Sequence, residues 1–444
     1  MGSRRVRRIH TEAVVLASFE VFLICLGIIV EPGVYHDGLR RVFMSPGLLI
    51  TDYVMVGGLG AALVNAGMVG LVGVLLTTLC RIRPAGAHVA GVLTMTGFAF
   101  FGKNVFNIAP ILAGFYLNSL VRRLPFREIL TDAMFGTALA PVVSQMVYGL
   151  GWGWAPATLV GIAIGFLLPM MAPVMYRNHN GLNLYNMGLT AGVLGTIVFA
   201  LKSGFAAEFG PVLIWSIHRS CWLGWMLFLL FGSMCIASAV WGKGLPRNYA
   251  LILSSDGRLP TDFSMLAGWP ATLLNMGLVG YIGWAYVLFS GGAFNGPSVG
   301  GLLTMVGFAA FGKQPRTIVP VMGGVLAASL IMVWGTASPG LQLAALFGTA
   351  LAPVSGVLGP IAGFLAGFVH AALVMKVGWF HGGMNLYNNG FSAGVVATLF
   401  YGAWPAVAEL FTRIDNLLQQ KPESVADNHR QGPRLDPEVP VEAE

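Results

Sequence analysis

The sequence predicts an all-α polytopic integral membrane protein. It has two homologous, inverted repeats, each of about six to seven transmembrane segments with one short half-helix. Three observations predict this. First, the 444-residue chain is 56% hydrophobic and only 10% charged, whereas soluble domains carry about 25% Asp, Glu, Lys and Arg. Its mean hydropathy of +0.75 agrees. Second, blocks of sequence occur twice in the same order. Third, the basic residues segregate between the loops in a way that inverted repeats explain better than parallel ones.

The duplication is read from three blocks. Gly91-Val92-Leu93-Thr94-Met95-Thr96-Gly97-Phe98 through Gly102-Lys103 returns as Gly301-Leu302-Leu303-Thr304-Met305-Val306-Gly307-Phe308 through Gly312-Lys313. Phe135-Gly136-Thr137-Ala138-Leu139-Ala140-Pro141-Val142 returns at Phe347–Val354. His179-Asn180-Gly181-Leu182-Asn183-Leu184-Tyr185-Asn186 returns as His381-Gly382-Gly383-Met384-Asn385-Leu386-Tyr387-Asn388. Repeats of this kind are looked for first because missing one misreads the whole fold.

The chain then divides in order. Residues 1–11 form a basic N-terminus with Arg4, Arg5, Arg7 and Arg8. The apolar run after them has no small-residue cleavage site, so it reads as an uncleaved first span with a cytoplasmic start. Repeat 1 covers 12–205, with apolar segments near 13–30, 52–80, 89–102, 105–121, 131–150, 153–176 and 183–201. Repeat 2 covers 215–405. Segment 89–102 and its partner 298–311 fall short of the roughly 20 residues a span needs, which marks them as half-helices. If all seven segments cross, most Lys and Arg lie on one side. Arg40, Arg41, Lys103, Lys202, Arg219 and Lys376 lie on the other. If the half-helix only dips and returns, that bias vanishes. Residues 406–420 carry apolar positions at helical spacing, as in an interfacial amphipathic helix. Residues 421–444 are polar and charged, a disordered composition.

Bulk features exclude several functions. The net charge of +7 lies in short loops, so no nucleic-acid partner is expected. Cys25, Cys80, Cys221 and Cys235 show neither metal-ligand nor disulfide spacing. No HExxH, GxSxG or intramembrane carboxylate pair is present. The expectation is therefore a protein that is not an enzyme and holds no cofactor and no metal. Its partners are membrane lipid and a small-molecule solute, with homo-oligomers compatible. Only Glu20 lies well inside a span. It has no acidic counterpart in repeat 2, whereas Asp52 and Asp262 sit where helix caps belong. Sparse carboxylates argue against an acid-relay antiporter.

Amides and hydroxyls are then the candidate solute path. An unpaired amide in hydrocarbon costs several kcal/mol, so Asn183, Asn186, Asn385 and Asn388 must face each other, a broken backbone or a polar lining. Tyr185 and Tyr387 stand between them. The loops feeding the half-helices add His88, Asn295 and Ser298, and the half-helices themselves add Thr94 and Thr304. His179 and His381, at the expected membrane edge, are candidates for gating. Lys103 and Lys313 end the half-helices, where a cation complements the helix dipole or attracts an anion. Asn65 and Asn275 are either interhelical glue or lining.

The doubled HxG[LM]NLYN and GxLTMxGFAxFGK blocks resemble an uncharacterised family of duplicated bacterial membrane proteins, a domain of unknown function. That resemblance implies the bacterial inner membrane as location and no particular activity. Gly292-Ala293-Phe294-Asn295-Gly296 and, more loosely, Asn385-Leu386-Tyr387-Asn388 resemble urea-channel motifs. The first of these is replaced in repeat 1 by Arg83-Pro84-Ala85-Gly86. The function expected from the sequence is a channel or facilitator for a small, uncharged polar solute, with the path between the repeats and both termini cytoplasmic. The alternatives are a secondary transporter of a small organic anion, using Lys103 and Lys313, and a membrane scaffold subunit that transports nothing.

Overall fold

A chain this apolar has to satisfy its backbone polar groups internally, and helices do so. A computed structural model describes residues 10–205, 210–217 and 221–419. Among the described residues the only β pairing is an isolated bridge between Thr51 and Ile214.

Repeat 1 begins with α1 (Thr11–Val30) and the short α2 (Tyr35–Phe43). Next come α3 (Tyr53–Gly57), α4 (Leu59–Leu79) and the half-helix α5 (Gly86–Phe98). The repeat continues through α6 (Val105–Val121), α7 (Leu130–Gly136), α8 (Ala140–Ser144), α9 (Trp154–His179) and α10 (Asn186–Ser203). Repeat 2 opens with α11 (Cys221–Trp241), α12 (Leu245–Ser254), α13 (Phe263–Leu266) and α14 (Gly268–Phe289). It continues with the half-helix α15 (Gly296–Phe308), α16 (Pro315–Ile331), α17 (Pro339–Gly348) and α18 (Ala352–Leu358). It closes with α19 (Pro360–Val377) and α20 (Asn388–Gln419). Among the described residues, nine helical stretches are long and apolar enough to cross a membrane.

The seven apolar segments of each repeat are present, but two of them are broken where the sequence suggests one continuous helix. The second segment breaks at Gly58, whose φ of 95° closes α3 and opens α4. Gly268 takes a φ of 78° at the matching place. The fifth breaks at Pro141 and Pro353. Proline lacks an N–H and its ring clashes with the carbonyl four residues back. Each break becomes a tight 3-10 turn, Thr137–Leu139 in one repeat and Thr349–Leu351 in the other.

The repeats are inverted, and the packing of the half-helices shows it. A Cβ on Gly97 would meet Gly300, a Cβ on Gly307 would meet Ala90, and Gly86 lies against Ala310. Residues near the end of α5 therefore touch the start of α15, and the reverse. The two equivalent helices run antiparallel, which requires a two-fold axis perpendicular to them. Gly188 and Gly390, an equivalent pair, pack against each other on that axis where the first turns of α10 and α20 cross.

A second structural unit begins at Gly402. Its described part, to residue 419, is helical. The basic residues Arg4–Arg8, residue 420 and the tail 421–444 lie outside the described residues.

Candidate functional site

The central site is made from interrupted backbone. After α9 ends at Asn180, in the left-handed region with φ 46°, residues 181–185 are buried and non-helical. Residues 382–387 repeat this in the other half. Broken backbone in a membrane needs partners, and the proline breaks supply them. The Leu184 N–H donates to the Ala350 carbonyl, and the Leu386 N–H donates to the Ala138 carbonyl, each at 3.0 Å. Each repeat thus closes the gap left by the other.

The Asn side chains secure this backbone. Asn183 Oδ1 accepts from Tyr185 N at 2.9 Å, and Asn385 Oδ1 accepts from Tyr387 N at 3.0 Å. Asn186 donates to the Ala172 carbonyl at 3.0 Å and Asn388 to the Val374 carbonyl at 3.3 Å. Their remaining oxygens accept from His179 Nε2 at 3.1 Å and His381 Nε2 at 3.2 Å. Both histidines are fully buried, and each pins one of these amides. Asn183 and Asn186 do not line the central cavity, and neither does Asn385. Asn388 lines a side cavity of about 40 Å³ instead.

Other candidates are used at helix ends. Asn295 caps α15, accepting from Ser298 N at 3.1 Å, and donates to the Ser216 carbonyl at 2.9 Å. Ser298 returns the cap by accepting from Asn295 N at 2.8 Å. His88 Nδ1 accepts from Ala85 N at 3.3 Å in the same role. The Gly-x-Phe-Asn-Gly stretch is thus accounted for as a helix start. Asn65 and Asn275 each donate to the last carbonyls of a half-helix. Asn65 reaches Ala99 and Lys103 at 2.7 and 2.8 Å, and Asn275 reaches Ala309 and Lys313 at 2.7 Å each.

The central cavity of about 20 Å³ is lined by Thr94, Thr304, Tyr185 and Tyr387 from the candidate set. Phe98, Phe135, Phe308 and Phe347 wall it, and Gly188, Asn389 and Gly390 bring the first turns of α10 and α20 to its edge. Helix N-termini carry partial positive charge and unpaired N–H groups. Lys103 and Lys313 reach back from the half-helix ends and are completely buried. Lys103 Nζ donates to Tyr387 Oη at 2.7 Å, and Lys313 Nζ donates to Tyr185 Oη at 2.6 Å. Each ammonium also sits over two rings: Lys103 over Phe98 and Tyr387 at 5.3 and 4.7 Å, Lys313 over Phe308 and Tyr185 at 5.2 and 4.5 Å. None of the ion pairs among the described residues involves either lysine. The expected placement at the half-helix ends holds for their backbones. Their charged ends instead cross to the opposite repeat.

A family model described as "Protein of unknown function (DUF1576)" matches the chain twice, over residues 32–203 and 243–405. The chain belongs to that family. One match falls in each repeat, after its first long helix, and each contains one lysine and one tyrosine of the central pair of contacts. No curated protein and no solved structure matches the chain. The likeness to urea channels therefore rests on the short motif alone.

Phe98, Phe308, Phe135, Phe347 and Asn389 were not singled out from the sequence. A signal was available for the four phenylalanines, because each lies inside a repeated block. Asn389 stands opposite Met187 in the other repeat, and no repetition marks it.

Proposed function

We propose that the protein is a membrane carrier for a small anion that binds at the two-fold axis between Lys103 and Lys313. The observation that carries this reading is the pair of fully buried lysines with no carboxylate partner. The cost of burying an ammonium ion is of order 20 kcal/mol in the ideal limit and still several kcal/mol after relaxation. A hydrogen bond to a charged group returns about 1.5–3 kcal/mol, and each desolvated cation–π contact about 2 kcal/mol. The tyrosine and rings around each lysine offset part of that cost. A bound anion would supply the rest, and the first turns of α10 and α20 reach the cavity beside the two tyrosines.

The preference over a channel for an uncharged solute follows from how the polar groups are used. The amides expected to line a path are bonded to backbone or to histidine. The cavity of about 20 Å³ holds one or two water molecules, which suits a closed state between two openings better than an open pore. Inverted repeats that rock about a fixed central site are the recurrent means of such alternation. The orientation that goes with this reading places the basic N-terminus in the cytoplasm.

Proteoliposomes loaded with radiolabelled chloride, lactate or succinate, and diluted into the same unlabelled anion, test this. Saturable exchange of at least one of these anions is expected, and it should be lost in the Lys103→Met, Lys313→Met double variant. Flux of urea or glycerol without anion exchange would establish the channel instead. No flux of any probe, with the double variant altering only the melting temperature, would leave a scaffold held by its lysines.

A further inference from the structure

Outside the central site, one acidic group is buried in the middle of a span with nothing to neutralise it. Glu20 of α1 is completely buried. Its Oε1 lies 2.7 Å from Thr96 Oγ1 on the half-helix α5, and its Oε2 has no partner. Gly70 of α4 leaves room for the carboxyl, since a Cβ there would fall 2.2 Å from Glu20 Cδ. The elements packed around it bring Gly67 and Gly70 from α4 and Thr96 from α5. None of these is charged or titratable, and no charged side chain acts on the carboxyl from any element. On α1 itself the nearest titratable residues are Cys25, five positions on, and Glu12, which pairs with Arg83 at 2.8 Å.

The hydroxyl of Thr96 makes the arrangement specific. It lies 2.7 Å from Glu20 and also 3.0 Å from the Val92 carbonyl. A hydroxyl has one hydrogen and can satisfy only one of these acceptors as a donor. When that hydrogen goes to Val92, Thr96 accepts, and the O–H between it and Glu20 must belong to the acid. The geometry therefore accommodates a carboxylic acid with a proton as well as a carboxylate. In repeat 2 the same places hold Phe231, packed on Gly277 and Gly280 as Glu20 is on Gly67 and Gly70, and Val306. The fold is complete there without a polar pair, so the pair in repeat 1 is not needed to hold the helices together.

We propose that Glu20 is a proton-binding site that couples anion movement to the proton gradient, as proton–anion symport. The proton is held on Glu20 against Thr96 while α5 is docked on α1, and it leaves to water when α5 shifts and opens the carboxyl. This rests on the anion-carrier reading, because α5 is the half-helix that leads into Lys103. Electroneutral entry of one proton with one monovalent anion also avoids the cost of moving a net charge across the membrane potential.

The first test needs no substrate. A hydrophobic carbodiimide attacks only a carboxylic acid that still carries its proton: the proton moves to a carbodiimide nitrogen and the carboxyl oxygen bonds to the central carbon. The full-length protein in lipid nanodiscs should form the adduct on the Glu20 peptide in acid, lose it about tenfold per pH unit once the group is titrated, and form none in Glu20→Gln. Labelling that does not change with pH, or no labelling at any pH, overturns the proposal. Because the wild-type protein alone decides this, poor folding of the variant leaves the test intact.

The second test separates this proposal from the reading it rests on. Whichever of chloride, lactate or succinate exchanges should also accumulate in proteoliposomes under an inward proton gradient. Glu20→Gln should keep exchange within about twofold and lose accumulation by at least about tenfold, the change expected when one coupled proton is removed. Unimpaired accumulation in Glu20→Gln overturns proton coupling while leaving the carrier standing. Absence of exchange in the wild type overturns the carrier itself, whatever the carbodiimide shows.

Discussion

At the centre, Lys103 meets Tyr387 and Lys313 meets Tyr185, position for position. At the flank, Glu20 and Thr96 stand where repeat 2 has Phe231 and Val306. A second flank differs the other way. His370 of α19 bonds Asn389 at 3.2 Å and Ser392 at 3.0 Å, in the places that repeat 1 fills with Leu168, Met187 and Thr190. The difference follows from where the contacts run. The lysine–tyrosine bonds join one repeat to the other, so the same pair of residues serves twice. The Glu20–Thr96 and His370–Asn389–Ser392 bonds stay within one repeat, and there the two copies hold different chemistry.

Changes that strike the axis should have the largest effects. Replacing both lysines by Met should reduce anion exchange by at least about 100-fold, close to 2.7 kcal/mol of binding. The single variants Lys103→Met and Lys313→Met should match each other within about threefold, as tracer exchange will show. A disparity beyond tenfold would mean the flanks break the symmetry of the centre.

Next in size are the glycines where α5 crosses α15. A Cβ at Gly97 would fall 2.7 Å from the Gly300 carbonyl oxygen, and one at Gly300 2.4 Å from that of Gly97. Each Gly→Ala change should cost about 1–3 kcal/mol through overpacking, seen as a lower melting temperature. Gly323→Ala is the control, because its Cβ meets nothing nearer than 3.7 Å, and its stability should hold or rise.

Asn65→Leu and Asn275→Leu should each leave two half-helix carbonyls unpaired, at about 1–3 kcal/mol, and the two melting temperatures should fall together. Unequal falls would show that one half-helix is anchored better than its partner. The smallest effect is expected from His370→Leu, which makes repeat 2 resemble repeat 1. Loss of two hydrogen bonds at about 1 kcal/mol each, partly offset by apolar packing, should lower stability slightly. The freed Asn389 amide should shift the half-saturating anion concentration while Leu168→His does not.

Much of the architecture was legible because repetition is independent of contacts. The half-helices appeared as apolar runs too short to span, and Phe-Gly-Lys at their ends recurred. The tyrosines and lysines were marked by repetition. Asn183, Asn186 and their partners could face a lining, each other or broken backbone, since an amide in hydrocarbon needs a partner. The partners turned out to be the backbone of α9 and α19, two histidines and the chain's own next turn. Nothing in local spacing distinguishes an amide that faces solute from one that faces an interrupted helix.

Composition and repetition by themselves determined the solvent and the number of repeats, and the placing of the basic residues favoured inversion. They do so because a charge-poor chain can satisfy its backbone only as helix, and an odd number of crossings reverses a copied domain. The tertiary structure alone decided which polar groups remain free. Lys103 and Tyr387 are 284 residues apart in the chain, and they meet only because two proline-broken helices and two non-helical segments bring both repeats to one axis. There each lysine meets a tyrosine of the other repeat and, among the described residues, no carboxylate.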